Sequence, residues 1–230
     1  MKIGKLCIIG VACLTGGVLY GHEESVATRL KTSSEVLTEI MNAPDHGIPQ
    51  ELLEKSQCIV IVPGLKKAAF IVGGKYGRGF ISCRSNAGPG WSAPAAVKVE
   101  GGSFGFQIGG SETDVVMLVM NKRGSEKLLS SKFTLGADAS VAAGPVGRTS
   151  AADTDLKLQA EILTYSRARG VFAGIALNGA TLRPDKETNT ELYGSGVTNK
   201  QIVMGSTKRS PVAASELTAN LNKYSARKEQ

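Results

Sequence analysis

Aromatic residues are scarce in this 230-residue chain, at 5% of the total with a single tryptophan. Modules that read single-stranded nucleic acid need aromatic platforms among basic residues. The chain shows no such interleaving, which excludes nucleic acid as a partner. Histidine is scarcer, with only His22 and His46. Two of the four cysteines, Cys7 and Cys13, fall in the first stretch of the chain, and the remaining ligand types lack metal-site spacing. No metal and no cofactor is expected. No apolar run reaches the roughly 20 residues that a membrane-spanning helix needs. There is no internal repeat and no low-complexity tract. Nucleotide-binding loops are missing too. Gly73-Gly74-Lys75 and Gly144-Pro145-Val146-Gly147-Arg148 do not match their spacing. Turn chemistry accounts for both, although glycine turns expose N–H groups to which Lys75 or Arg148 adds charge for an anion.

What is present begins with a leader. Lys2 and Lys5 precede an apolar run from Leu6 to Leu19, and Tyr20-Gly21 hands over to His22-Glu23-Glu24. Charge, apolar core and small residue in that order predict a secretory signal peptide over 1–21. Val11-Ala12-Cys13 is an alternative lipoprotein processing site with a very short apolar core. The expected destination is periplasmic or extracellular. The 27 basic residues would lose Lys2 and Lys5 against 20 acidic ones, leaving a net charge of about +5. That permits attraction to anionic surfaces without demanding it. The remaining Cys58 and Cys83 form a disulfide candidate in an oxidising compartment. Two buried free thiols are the alternative.

Apolar residues at Val26, Leu30, Leu37, Ile40 and Met41 predict one amphipathic helix over 23–42, stopped before Pro44. A short helix follows Pro49. Cys58 to Val62, Ala68 to Val72 and Arg78 to Cys83 read as three strands, with Gly73-Gly74-Lys75-Tyr76-Gly77 as a turn. Such a meander would hold Cys58 and Cys83 at opposite ends of the sheet, unless the pairing is less regular. Apolar positions switch from odd (Ala95, Val97, Val99) to even (Phe104, Phe106, Ile108), which predicts a bulge or sharp bend at Gly101-Gly102. Val115 to Met120 reads as a central buried strand and Lys122 to Ser130 as a short helix. Phe133 to Ala143 alternates as a strand, and Leu158–Arg167 with Val171–Leu177 as a strand pair turning at Arg169-Gly170. Pro184 to Tyr193 and Pro211 to Tyr224 read as helices.

Gly101-Gly102-Ser103-Phe104-Gly105 satisfies the G-x-S-x-G pattern of hydrolase nucleophile elbows. That motif needs a strand–turn–helix at the serine, whereas a strand pattern follows Ser103. Both histidines also precede it. A serine hydrolase using Ser103 is therefore the third and least favoured reading. Asp114, Asp138, Asp153 and Asp155 are unpaired in sequence and read as solvated or turn-capping carboxylates.

Several strings in order resemble the SYLF-domain family. They are Pro63-Gly64-Leu65-Lys66-Lys67, Phe70 to Gly74 with Tyr76-Gly77-Arg78-Gly79, Trp91-Ser92-Ala93-Pro94, Gly101 to Gly109, Val141 to Pro145, Tyr165-Ser166 with Gly170 to Gly174, and Leu192-Tyr193-Gly194. The resemblance runs from about residue 30 to residue 205. It implies binding of acidic phospholipids, phosphoinositides in eukaryotic members, with no catalytic residue; yeast members are linked to actin bundling. The SH3 or FYVE companion domains of such members are missing from this sequence. With the export signal, that favours a bacterial envelope role over phosphoinositide or actin.

The expectation is an α+β domain: a curved antiparallel β-sheet or barrel-like sandwich, with N- and C-terminal helices packed on it. A SYLF-like domain covers 22–205, and a linker and helix cover 206–230. The expected function is non-enzymatic binding of acidic phospholipid or a membrane surface. Lys66, Lys67, Lys75, Arg78 and Arg84 are the candidate cations if they share a face. The N-terminal helix either lies on a membrane or packs on the sheet. A structural or protein-interaction role in the envelope is the alternative.

Overall fold

The computed structural model describes residues 24–43, 47–85, 90–146, 160–168, 171–175, 177–205 and 211–225, without the side chains of 68–72, 103–109 and 171–172. The expected leader at 1–21, both histidines, Arg148, Asp153, Asp155, the expected turn at Arg169-Gly170 and residues 206–210 lie outside the described residues.

Two long strands organise the molecule. β1 (Cys58–Cys83) and β2 (Ala95–Val119) pair antiparallel from Cys58↔Val119 to Ile81↔Ala95. The three strands expected between 58 and 83 are therefore one. Gly73 to Gly77 is mid-strand rather than a turn, because β2 supplies a ladder partner for the backbone throughout. The irregularity expected at Gly101-Gly102 is also displaced. Lys75↔Gly101 and Gly74↔Gly102 stand in unbroken register. The shifts fall between Val62 and Leu65, and between Ala69 and Ile71 opposite Gly109 and Gly105. At the first of these, Pro63 has no N–H to give the ladder and Gly64 takes φ +58°.

Among the described residues the sheet has seven strands, curled into a half-barrel. β3 (Phe133–Thr134), β4 (Val141–Ala143), β5 (Ile162–Ala168), β6 (Val171–Gly174) and β7 (Thr181–Pro184) complete it. Its order is β3-β7-β2-β5-β4, with β1 on the other edge of β2 and β6 on β5. Pairing is antiparallel except between β4 and β5, which are parallel. The alternation from 133 to 143 does not make one strand. Gly136 at φ +86° turns the chain, and Asp138 Oδ2 accepts from the Thr134 N–H at 2.6 Å.

Side-chain alternation along the ribbon produces two buried faces. Val60, Val62, Leu65, Ile81, Val99, Val115 and Met117 point to the inner face. There they meet Phe133, Leu135 and Leu177, together with α4 (Lys186–Tyr193) and α5 (Asn199–Val203). α3 (Lys122–Leu128) adds Leu128 to the same cluster. Ile59, Ile61, Phe80, Val116 and Leu118 point to the outer face. Three helices cover it: α1 (Val26–Asn42), α2 (Gln50–Lys55) and α6 (Ser215–Ser225). Ser25 caps α1 by accepting from Thr28 N–H at 3.1 Å. Leu30, Val36, Leu37 and Ile40 of α1 are fully buried. Each such burial stabilises the fold by about 1.5–3 kcal/mol, so the apolar face of α1 packs on the sheet. Arg167 of β5 ties α1 down by bonding Asp114 of β2 at 2.6 Å and also Glu39 of α1.

The curl is tight enough for β1 to cross itself. A Cβ at Gly77 would stand 2.8 Å from both Leu65 Cδ1 and Val62 Cγ1, and one at Gly79 would collide with the Ile61 carbonyl. Glycine is required at Gly77 by the side chains of Leu65 and Val62, and at Gly79 by the approach of backbone to backbone. The same curl brings the strand ends together. Cys58 and Cys83, which a flat meander would separate, are disulfide-bonded, and Arg84 N–H donates to the Gln57 carbonyl at 2.8 Å.

Candidate anion-binding site

The five basic residues singled out from the sequence do not share one surface. Arg84 is buried and structural. Its guanidinium donates to the carbonyls of Leu53 and Glu54 at 3.0 Å and of Ser56 at 3.3 Å, all at the C-terminal end of α2. It also donates to Ser225 O at 2.6 Å, at the end of α6. Carbonyls left unpaired at two helix ends are thereby satisfied by one cation. Its plane stacks 4.1 Å from the Trp91 ring centroid. Trp91 Nε1 in turn donates to Ser225 Oγ at 2.7 Å.

Arg78 is likewise engaged. Its Nε donates to Asp185 Oδ2 at 2.6 Å and its Nη2 to Asp185 Oδ1 at 3.0 Å, a two-pronged pair. Asp185 is the N-cap of α4, accepting from Thr188 N–H and Thr188 Oγ1. Burial raises the pKa of Asp185, but the hydrogen bonds from Arg78 and Thr188 outweigh it and hold the carboxyl below its ordinary range. Arg78 thus anchors a helix to the sheet.

The three lysines divide by strand parity. Lys66 is exposed on the outer side, opposite Glu112. Lys67 and Lys75 project from the inner side, as do Leu65 and Gly77. The return of β1 that sets Gly77 against Leu65 also brings the two lysines near enough for the charge of Lys75 to act on Lys67. Both are half-buried, and neither has an ion-pair partner among the described residues. Partial burial, followed by the charge of Lys75, holds the Lys67 ammonium below the ordinary lysine range. Two hydroxyls stand across the ladder on the same face. Ser111 is opposite Lys67 and Thr113 opposite Leu65. Thr113 Oγ1 is buried without a hydrogen-bond partner. Two cations and two hydroxyls on a concave face form an arrangement suited to holding an oxyanion.

Sequence reasoning missed Ser111 and Thr113. Their signal is the alternation of β2 counted back from Val115, which is usable only once β1 and β2 are known to be single strands. It also missed Asp185, the partner that takes Arg78 out of the candidate surface. Ser103 lies within β2 opposite Gly73, with strand on both sides. The strand–turn–helix that a nucleophile elbow requires is absent at that position. Among the described residues no group of histidine, cysteine and carboxylate side chains has the arrangement of a metal site, and no helix is long and apolar enough to cross a membrane.

Comparison with known proteins gives a consistent answer. The family model described as Ysc84, Las17-binding protein actin regulator, matches residues 100–224. SH3 domain-containing YSC84-like protein 1 of Homo sapiens is 32% identical over 212 residues, covering 92% of this chain and 60% of the relative. SH3 domain-containing protein PJ696.02 of Schizosaccharomyces pombe is 32% identical over 206 residues, 86% of this chain and 47% of the relative. Protein YSC84 of Saccharomyces cerevisiae is 31% identical over 199 residues, 82% and 42% respectively. The chain thus spans about three fifths or less of the length of these relatives. The relatives are named for an SH3 domain or for YSC84 itself, and the family description names a binding role. With more than half of its residues inside the family match, the chain belongs to the Ysc84 family, the SYLF-domain family that its motifs resemble.

Proposed function

We propose that this protein binds anionic phospholipid at a membrane surface, without catalysing a reaction. The observation that carries the reading is the Lys67–Lys75 pair. Two half-buried ammonium groups face the same concavity with no carboxylate to neutralise them among the described residues. Holding like charges together costs free energy that an arriving anion returns. The family context of lipid binding supports the same ligand class. The charge and apolar pattern that reads as a leader over 1–21, and the Cys58–Cys83 bond, support a site of action outside the cytoplasm, because disulfides persist in oxidising compartments. Co-sedimentation with vesicles tests the proposal. Vesicles containing anionic lipid should retain the protein and neutral phosphatidylcholine vesicles should not. Added salt should weaken the retention. Equal retention by both would remove the electrostatic mechanism.

A second reading is a protein-interaction role in the envelope. It rests on the description of the matched family as Las17-binding. A stoichiometric partner crosslinked to the protein, with a yield unchanged by anionic vesicles, would favour it over the lipid reading.

A further inference from the structure

The anionic-surface reading leaves open which anion the concavity accepts, and the geometry narrows it. We propose, resting on that reading, that the inner-face group of Lys67, Lys75, Ser111 and Thr113 holds a single phosphomonoester. On a membrane the source would be a phosphatidic-acid-type headgroup; in solution it would be free phosphate.

Three features argue for a compact dianion rather than a flat field of monovalent lipids. First, the lysines sit on the inner face of the curl. Gly77 packs against Leu65 and Val62 beside them. A bilayer plane would more readily reach Lys66, which is exposed on the outer side. Second, two ammonium groups are balanced by two negative charges. A phosphomonoester supplies up to two, with its second ionisation near pH 6, whereas a phosphodiester supplies one. Burial first, and then the charge of Lys75, lowers the proton affinity of Lys67, and an anion beside the two ammonium groups would offset both. Third, a monoester presents three terminal oxygens to hydrogen-bond donors. Thr113 Oγ1 is a buried hydroxyl that lacks a partner, one ladder step from Ser111 and Lys67. A buried hydroxyl without a partner carries a desolvation cost that a phosphate oxygen would offset.

The experiment compares vesicles matched in surface charge, using the full chain at pH 7.5. One set carries phosphatidic acid in phosphatidylcholine and the other carries phosphatidylglycerol. Binding to phosphatidic acid should be stronger by about tenfold, the worth of one further charge-assisted contact. Lys67→Gln and Lys75→Gln should each abolish that preference, while Lys66→Gln keeps it. Thr113→Val should reduce it. Circular dichroism is recorded on every variant, and Lys66→Gln serves as the surface control. A second arm titrates inorganic phosphate and follows amide shifts near Lys67 and Ser111. Shifts that saturate, together with displacement from phosphatidic acid vesicles, identify free phosphate as a competent source. Phosphatidic acid preference without such shifts assigns the site to the lipid headgroup. Phosphate shifts with no vesicle binding keep the phosphomonoester site and overturn the membrane reading. Equal binding of the two charge-matched vesicles, with no phosphate shifts, overturns the phosphomonoester site and leaves the anionic-surface reading standing. No binding in either arm overturns both.

Discussion

Cys58 and Cys83, the first and last residues of β1, are bonded to each other, so a 26-residue strand begins and ends at the same place. The bond clasps the ribbon whose middle carries Lys67 and Lys75. Everything on the inner face depends on that return. A straight ribbon would point the same side chains at solvent, with Gly77 far from Leu65.

Removing the clasp should therefore cost stability. A loop of this separation stabilises a fold by about 3.5 kcal/mol in the chain-entropy model. Urea unfolding of the Cys58→Ser/Cys83→Ser double variant should show a midpoint lowered accordingly. The wild type in reductant should shift the same way. An unchanged midpoint would show that core packing alone closes the ribbon.

Arg84 should resist conservative replacement. Its planar fork serves four carbonyls and stacks on Trp91. Lysine has neither the donors nor the plane. We expect Arg84→Lys to lose about 2–4 kcal/mol. Amide exchange should accelerate first in 215–225, the helix held through Ser225. A variant as stable as wild type would refute the clamp.

The Arg78–Asp185 pair sets a pH dependence with a definite sign. The folded Asp185 pKa lies below its unfolded value. Its contribution is thus full above about pH 4, the ordinary carboxyl range, and is lost as pH falls through the depressed folded value. Asp185→Asn should be less stable than wild type at pH 7, and the gap should narrow as pH drops below about 4. Urea unfolding across that range measures it, and a gap that stays constant would exclude the linkage.

Two glycines of the ribbon should respond oppositely to the same change. Gly79→Ala forces a methyl group into the Ile61 carbonyl. It should cost about 3 kcal/mol or prevent folding. Gly102→Ala meets nothing within 4 Å and should stay within about 0.5 kcal/mol of wild type. Thermal melts of the two variants compare them directly. Equal losses would mean that the self-crossing of β1 is not tight.

The family's motifs, the α+β class and the terminal helices were legible in the sequence, because they rest on local signals. Helical spacing of Leu30, Leu37 and Ile40 needs only the chain itself, and so does the small-residue alternation of the strands. The single strand β1 was not legible. Gly73 to Gly77 has turn composition, and only the equally long ladder of β2 opposite keeps it extended. The alternation from Phe133 to Ala143 failed in the other direction, since Gly136 and the Asp138 side chain closed a turn that no partner strand prevented.

What the sequence by itself determined is a supply of cations, two cysteines and glycine where backbones must touch. Which cations meet was decided by the tertiary structure alone. Arg84 went to helix carbonyls and Arg78 to Asp185, partners more than 100 residues distant in the case of Ser225 and Asp185. Lys67 and Lys75 were left together because strand parity set them on one face and the curl folded that face inward. Contacts across such separations depend on the path of the whole backbone, and local composition carries no record of that path.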